Sequence, residues 1–190
     1  MAKVKLNPVL EGFRGQIGDL VFKRYGEEVI VGRKPDLTGQ PLTPGQAAAR
    51  ERFKLAAVYG HTALADPARK SLYEAKAKSK GQPVFSMTVA DFYNAPVVSL
   101  IDLSGYTGQS GEPIRILATD DFEVTSVGVR IINTSNAVIE EGTAARSGNN
   151  GTEWTYQSKT ALPAGETVSI EVTAADRPGN KGVKTQPKGS

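Results

Sequence analysis

The sequence predicts an α+β protein of two domains, with a β-hairpin and two or three helices ahead of an antiparallel β-sandwich. The chain has 190 residues, which suits two domains of about 95 residues each. Apolar residues recur at helical spacing only in the first half, whereas short alternating runs between turn residues fill the second. We therefore expect a first domain at 1–95, a sandwich at 96–182 and a tail at 183–190 that is flexible or becomes ordered on a partner, because only Val183 offers a packing side chain.

The charge of the chain divides at the same point. Residues 1–95 hold fifteen Lys and Arg against nine Asp and Glu, a net charge of +6, and residues 96–190 hold eight against eleven, a net charge of −3. Such a difference predicts two modules with different surroundings. A basic module can bind nucleic acid, an acidic protein surface or the acidic half of a neighbouring copy, whereas the alternative is an ordinary solvated surface.

The composition excludes most catalytic and metal-binding chemistry. The chain has no Cys and one His, His61, so thiolate chemistry, Cys-based metal sites and His pairs are absent from the sequence. No apolar run approaches the ~20 residues of a membrane span, and the N-terminus lacks the apolar stretch of a secretory signal. We expect a non-enzymatic protein without catalytic residues, cofactors or metal sites, made in the cytoplasm and free to end in a virion or an extracellular filament.

The first domain opens on a predicted β-hairpin. Leu20–Tyr25 is rich in apolar and aromatic residues, Val29–Val31 is β-branched throughout, and a short Gly-containing turn separates the two runs. Three glycines precede the hairpin, Gly12, Gly15 and Gly18, and predict a loop with unusual backbone angles. Their spacing is not that of a phosphate-binding loop, and no Lys-Ser or Lys-Thr pair follows them.

Two helices, with a short third as an option, are predicted after the Pro- and Gly-rich linker at 34–42. The first begins at Thr43-Pro44-Gly45-Gln46, a capping box with proline at the first helical position. Its predicted apolar stripe consists of Phe53, Ala56, Ala57, Gly60 and Leu64. The second begins at Asp66-Pro67 and ends by Gly81, and a short third runs from about Thr88 to Asn94, where Pro96 closes it.

The run 41–96 resembles a pattern of small bacterial and phage proteins. In that pattern a Thr-Pro-x-Gln start leads to Arg-x-x-Phe and then to a helix with Asp-Pro, Arg and Tyr. The matching residues here are Thr43, Pro44, Gln46, Arg50, Phe53, Asp66, Pro67, Arg69 and Tyr73. The resemblance implies no established activity.

The basic residues of the first domain are the candidate nucleic-acid contacts. The run 32–39, Gly-Arg-Lys-Pro-x-x-Thr-Gly, resembles the arm of histone-like bacterial proteins, in which a proline between basic residues enters the minor groove of DNA. The nine candidates are Lys23, Arg24, Arg33, Lys34, Arg50, Lys54, Arg69, Lys70 and Lys76.

The second domain is predicted to hold six or seven short strands. The runs 97–103, 113–118, 124–132, 137–140, 153–156 and 167–174 alternate or are apolar, and turn clusters separate them. The segments Trp154-Thr155-Tyr156, 162–165 and 174–180, which ends Ala-Ala-Asp-Arg-Pro-Gly-Asn, resemble the repeated Ig-like domains of bacterial surface and phage proteins. The resemblance implies an Ig-like β-sandwich that serves as a folding and display module. Trp154 would fill the space between the sheets, and Asp176 and Asn180 would close the last turn.

Two acidic pairs are the remaining candidates for chemistry. Asp120-Asp121 could serve acid–base catalysis or bind calcium together with Asp102 or Asp176, but calcium needs about six to eight oxygen ligands and no loop of the sequence supplies an alternating acidic series. We interpret Asp120 and Asp121 as a polar strand entry, and Glu140 and Glu141 as a solvated turn. His61 has no Ser-Asp arrangement beside it and is interpreted as a histidine on or between helices.

The sequence leaves two functional hypotheses open. The first is a structural protein that assembles into a virion-like particle or a filament, with copies of itself or other particle proteins as partners. The hairpin edges would invite strand addition, and the opposite charges of the two halves would favour head-to-tail packing. The second is a protein that binds or coats double-stranded DNA with its basic half. A small-molecule substrate and a membrane span are expected to be absent.

Overall fold

The structure is a computed structural model that describes residues 2–4, 14–25, 28–36, 41–148 and 150–188. The chain divides into two compact units, Met1–Ala47 and Ala48–Ser190. The predicted limit at residue 95 falls inside the second unit, where helices and sandwich contact each other. As a limit between domains it stays a prediction.

The N-terminal unit contains an antiparallel four-stranded sheet. Its strands are β1 (Ala2–Val4), β2 (Gly15–Ile17), β3 (Leu20–Tyr25) and β4 (Glu28–Arg33), in the order β1-β4-β3-β2. The predicted hairpin is confirmed as β3 and β4, with Phe22 opposite Val31. Gly15 and Gly18 have positive φ angles of 113° and 57°, as expected for this entry, but Gly15 begins a strand. Gly12 and the hairpin turn at 26–27 lie outside the described residues.

Three helices follow, α1 (Pro44–Ala65), α2 (Pro67–Lys80) and α3 (Val84–Tyr93). The capping box at α1 is confirmed, because Gln46 N–H donates to Thr43 Oγ1 and Thr43 N–H donates to Gln46 Oε1. Asp66 caps α2 through the amides of Ala68 and Arg69, and Gly81 ends it in the left-handed conformation. Within the described ranges no helix is both long and apolar enough to cross a bilayer.

Two helix predictions need correction. The predicted stripe of α1 is wrong in part, because Ala56, Gly60 and Ala63 are buried while Phe53 is 53% exposed. Compared with the predicted stripe, the buried face of α1 is rotated toward Tyr59. The hydroxyl of Tyr59 is hydrogen-bonded to Tyr73 on α2 and to Asp91 on α3. Helix α3 begins at Val84 rather than Thr88, because Pro83 is extended and serves as the N-cap.

Two antiparallel sheets follow the helices. The first contains β5 (Val97–Asp102), β6 (Pro113–Thr119), β10 (Glu153–Gln157) and β9 (Ala145–Ser147), in that order. The second contains β12 (Lys181–Lys188), β11 (Val168–Ala175), β7 (Ser126–Asn133) and β8 (Val138–Thr143), in that order. Buried residues of both sheets form one core that includes Trp154 and Tyr156, so the arrangement is that of a β-sandwich. All six predicted strands of the sandwich are present, and its other two strands, β9 and β12, were not predicted.

The predicted flexible tail from residue 183 is wrong for residues 183–188. They belong to β12, which pairs with β11 along its whole length from Ala175 opposite Lys181 to Val168 opposite Lys188. The strand lacks an apolar pattern because it lies at a sheet edge, where backbone hydrogen bonds rather than side chains attach it. Its lysines and Pro187 are the residues expected on an exposed edge.

Candidate functional site

The sheet of the N-terminal unit has one predominantly apolar face. Residues directly opposite each other in an antiparallel pair project to the same face. By register, Ile17 lies opposite Leu20, Leu20 opposite Arg33, Phe22 opposite Val31 and Arg24 opposite Val29. We call this set the apolar face, namely Ile17, Leu20, Phe22, Val29 and Val31 with Arg24 and Arg33. The other face carries Gln16, Val21, Lys23 and Ile30.

The apolar face is only partly covered. Val29 is 3% exposed and is the one buried hydrophobic residue among the described residues of this unit, whereas Ile17 and Leu20 are 54% and 43% exposed. A small sheet needs an apolar face packed against something to be stable. Ile17 and Leu20 are directly paired on this face, and both leave part of their apolar surface in contact with water.

The nine candidate nucleic-acid residues are divided between the N-terminal unit and helices α1 and α2. Lys23 lies on the face opposite Arg24 and Arg33, and Lys34 follows the end of β4, where its N–H donates to Asp19 O. Three helical candidates already have acidic partners on their own helices, Lys54 with Glu51 at 3.0 Å, Arg69 with Asp66 at 3.3 Å and Lys70 with Glu74 at 3.7 Å. Arg50 is exposed on α1, and Lys76 is half-buried on α2.

The charge difference between the two halves does not follow the compact units. Met1–Ala47 holds seven Lys and Arg against five Asp and Glu, and Ala48–Ser190 holds sixteen against fifteen. The excess positive charge of the first half is concentrated on the three helices, which share a unit with the acidic sandwich. Opposite charges therefore lie within one unit rather than on two separate ones.

A buried polar cluster lies in the core of the helices. Asp91 on α3 is 0% exposed, and its Oδ2 accepts hydrogen bonds from the hydroxyls of Tyr73 and, at 3.2 Å, Tyr59. The two hydroxyls are 2.8 Å apart. Burial raises the pKa of Asp91 to about 6 and that of Tyr59 to about 12, and it raises the pKa of Tyr73 further. One signal could have indicated the cluster, since Asp91 is the single charged residue in an otherwise apolar or neutral helix.

The helices and the sandwich contact each other beside this cluster. The ring of Tyr73 stacks on Phe122, from the loop between β6 and β7, with centroids 4.1 Å apart. Asn180, from the turn between β11 and β12, donates its side-chain amide to the carbonyls of Asp91 and Phe92 at 3.4 and 3.2 Å. The turn at 176–180 is closed by Asp176, as predicted, because its Oδ1 accepts hydrogen bonds from the amides of Gly179 and Asn180.

A groove of about 520 Å³ lies between α2 and the sandwich. Its lining includes Leu72, Lys76, Phe122, Glu123, Arg146 and Thr152. Arg146 already donates to Val124 O at 2.7 Å and to Glu123 at 3.3 Å, and its guanidinium lies 5.0 Å from the ring centre of Trp154. Arg146 and Glu123, two of the charged side chains of the groove, are thus engaged with each other.

The two acidic pairs have structural roles. Asp120 Oδ2 accepts from the amides of Phe122 and Glu123, both at 2.9 Å. Asp120 thus lies in the polar segment before β7, where the sequence analysis expected a polar strand entry. The prediction for Glu140 is wrong, because it lies on β8, is 7% exposed and accepts from Tyr156 Oη, Lys159 N and Thr160 N. Glu141 is exposed beside Arg130. Across the described residues, no three His, Cys, Asp or Glu side chains are grouped so as to hold a metal ion.

His61 lies on the helix surface, as expected. It is exposed on α1, and its ring is 5.2 Å from that of Phe85 on α3. This contact is between aromatic rings, and it gives the histidine a packing role at the junction of the two helices.

Comparisons with known proteins add little to these observations. No protein-family model matches the chain, and no curated protein does. Among solved structures the chain is similar to CopC from Methylosinus trichosporium OB3b, with 12% sequence identity, a TM-score of 0.38 and coverage of 48% of this chain and 89% of that one. It is also similar to an engineered protein, with 20% identity, a TM-score of 0.37 and coverage of 50% of this chain and 20% of that one. Both TM-scores are too low to carry an argument.

Proposed function

We propose that the protein is a non-enzymatic structural protein that assembles into, or decorates, a larger particle such as a virion or a filament. The observation that carries the proposal is the apolar face of the N-terminal sheet, on which Ile17 and Leu20 remain about half exposed beside the buried Val29. A second surface that covers this face would remove further apolar area from water, at about 25 cal/mol per Å².

The partner that we propose first is another copy of the same chain. The strands at the edges of the N-terminal sheet, β1 and β2, have three residues each. An edge strand can pair with a strand of another molecule, and two different edges allow head-to-tail addition. Head-to-tail contacts build rings or open filaments, depending on whether the rotation closes. Other proteins of the same particle are the alternative partners.

The sandwich would then be the displayed part. Its two four-stranded sheets around Trp154, and the Asp176–Asn180 turn, support the assignment of an Ig-like domain. We expect this domain to brace or decorate the particle without chemistry of its own. The groove and the acidic pairs provide no contrary indication among the described residues.

Double-stranded DNA remains the alternative partner. Lys23 lies on the other face of the N-terminal sheet from Arg24 and Arg33, and Lys54, Arg69 and Lys70 already have ion-pair partners, so this alternative has less support. Binding to duplex DNA that weakens steeply between about 50 and 200 mM salt would favour it. Absence of binding at low salt would exclude it.

The assembly proposal is tested by the molar mass of the purified chain during size-exclusion chromatography with light scattering. We expect the mass to rise with concentration above the 20.2 kDa of one chain. Leu20→Glu, which charges the apolar face, should remove the rise. Val183→Glu is the matched control, because Val183 is also an exposed apolar residue, at 60%, but lies on the sandwich. An equal loss in both variants, or an unchanged mass in Leu20→Glu, would contradict the proposal.

A further inference from the structure

The carboxyl group of Asp91 lacks a hydrogen-bond donor at one oxygen. Oδ2 accepts from Tyr73 and Tyr59, but Oδ1 is buried without a partner. A buried carboxylate oxygen that no donor reaches is costly, because folding removes its water and replaces it with nothing. The neutral acid avoids most of this cost, since a proton on Oδ1 removes the charge.

The ionisable groups that act on Asp91 come from every part of its surroundings. Tyr59 belongs to α1 and Tyr73 to α2, and both donate to it. Asp120 comes from the end of β6 and Asp176 from the end of β11, and both disfavour a negative charge on Asp91. Asp120 Oδ1 is likewise buried without a donor. Burial is the largest cause of the raised pKa of Asp91, and the two carboxylates add to it.

The position of Asp91 couples its charge to the contact between helices and sandwich. The carbonyls of Asp91 and Phe92 accept from Asn180, whose amide also donates to Asp176 Oδ2 at 2.7 Å. Asn180 thus links the backbone of α3 to the Asp176 carboxylate, whose negative charge disfavours one on Asp91. Repulsion between the two acts directly across the contact.

We propose that Asp91 is a buried proton-binding site that makes the contact between the helices and the sandwich sensitive to pH. With a proton on Oδ1 the contact is tight, and when that proton is released to solvent α3 loosens from the turn at 176–180. The inference is independent of the proposed assembly function.

The direction in which pH acts on the contact follows from the change in the pKa of Asp91 on folding. The pKa of Asp91 rises from 3.8 to about 6 on folding, so the protonated form favours the closed contact. The stabilisation is complete at low pH and is lost as the pH rises through about 6. The folded pKa lies about one unit above pH 5, and one pKa unit corresponds to a factor of about ten, so opening should increase about 10-fold from pH 5 to pH 7.5.

Hydrogen exchange of the full chain at pH 5 and pH 7.5, corrected for the intrinsic pH dependence of exchange, measures this opening. We expect the amides of α3 and of 176–180 to lose protection at the higher pH. Asp91→Asn, which imitates the neutral acid, should keep them protected at both. Asp121→Asn is the matched control, because Asp121 accepts from Asn94 at the same contact but is exposed, and it should retain the wild-type dependence.

Two results would overturn the proposal. The first is equal protection of the wild-type amides at both pH values. The second is a pH dependence of protection that persists in Asp91→Asn, and its loss in Asp176→Asn would then assign the effect to Asp176. Should Asp91→Asn fail to fold, carbon NMR titration of the wild-type Asp91 carboxyl decides the question without a variant. A midpoint near 6 supports the proposal, and a midpoint at the ordinary value for aspartate, about 4, contradicts it.

Discussion

Gly182 allows β12 to lie directly against the start of β5, because it has no side chain. A Cβ atom at Gly182 would lie 1.8 Å from the carbonyl oxygen of Pro96, the residue that precedes β5. Strand β12 therefore passes directly against the start of β5, at a distance that only glycine permits. The contact joins an edge strand of one sheet to an edge strand of the other.

Gly182→Ala should destabilise the protein by about 1 to 3 kcal/mol, because the methyl group meets backbone that cannot move aside easily. Gly128→Ala on β7 is the control, since the nearest atom to its Cβ would be Thr173 O at 3.9 Å. Urea unfolding of the full chain measures both. Equal midpoints for the two variants would show that β12 does not lie against Pro96 as described.

Glu140 is a residue whose charge contributes to stability. Burial raises its pKa, but the hydrogen bonds from Tyr156 and from the amides of Lys159 and Thr160 outweigh burial and lower the pKa below its ordinary value. A carboxylate with a lowered pKa stabilises the fold above its unfolded pKa, and this stabilisation is lost as the pH falls through the folded value.

We therefore expect Glu140→Gln to be less stable than the wild type at pH 7 and to approach it at pH 3. The loss at pH 7 should be about 1.5 to 3 kcal/mol, the usual range for hydrogen bonds to a charged group. Thermal unfolding at the two pH values measures the difference. A difference of the same size at both pH values would indicate lost packing rather than lost charge.

At the scale of the elements, the packing of α1 against α3 depends on Gly60. A Cβ at Gly60 would lie 2.6 Å from Thr88 Oγ1 and 3.0 Å from the Phe85 ring. Glycine inside a helix costs about 1 kcal/mol relative to alanine. The close approach of the two helices explains why the chain accepts this cost.

Gly60→Ala should destabilise the protein in spite of the better helix propensity of alanine, because Thr88 is itself fully buried and has little room to move. Gly45→Ala in the first turn of α1 should be neutral or stabilising by up to about 1 kcal/mol, since nothing lies within 4 Å of its Cβ. Guanidinium unfolding of both variants provides the comparison. Stabilisation by Gly60→Ala would contradict the described packing of α1.

Local chemistry explains which elements the sequence predicted. Thr43, Asp66 and Gly81 act through their immediate neighbours, so the ends of α1 and α2 were predictable from short motifs. Alternation predicted the central strands, such as β11, in which every second residue is buried. Strand β12 was not predictable in this way, because it has no apolar alternation and only its pairing with β11 fixes it.

Tertiary contacts explain what the sequence missed at the candidate sites. The rotation of the α1 stripe depends on hydrogen bonds between Tyr59, Tyr73 and Asp91, which lie on three helices. Glu140 looked solvated because its neighbour is acidic, but its hydrogen-bond donors come from Tyr156, Lys159 and Thr160, between sixteen and twenty residues away. Such partners are beyond the reach of local patterns.

At the scale of the whole molecule, the proposed assembly rests on the hydrophobic surface of the N-terminal unit rather than on net charge. The two compact units carry nearly balanced charges, seven basic against five acidic residues and sixteen against fifteen. Long-range attraction between differently charged ends is therefore weak at physiological salt. Contacts between copies should depend on the apolar face and should survive moderate salt.

Electron microscopy of the purified full chain at rising concentration tests self-assembly most directly. We predict rings, filaments or other regular assemblies in the wild type, and isolated particles in Leu20→Glu under the same conditions. Isolated particles of single-chain size for the wild type at every concentration would contradict the claim that this protein acts by assembling with copies of itself.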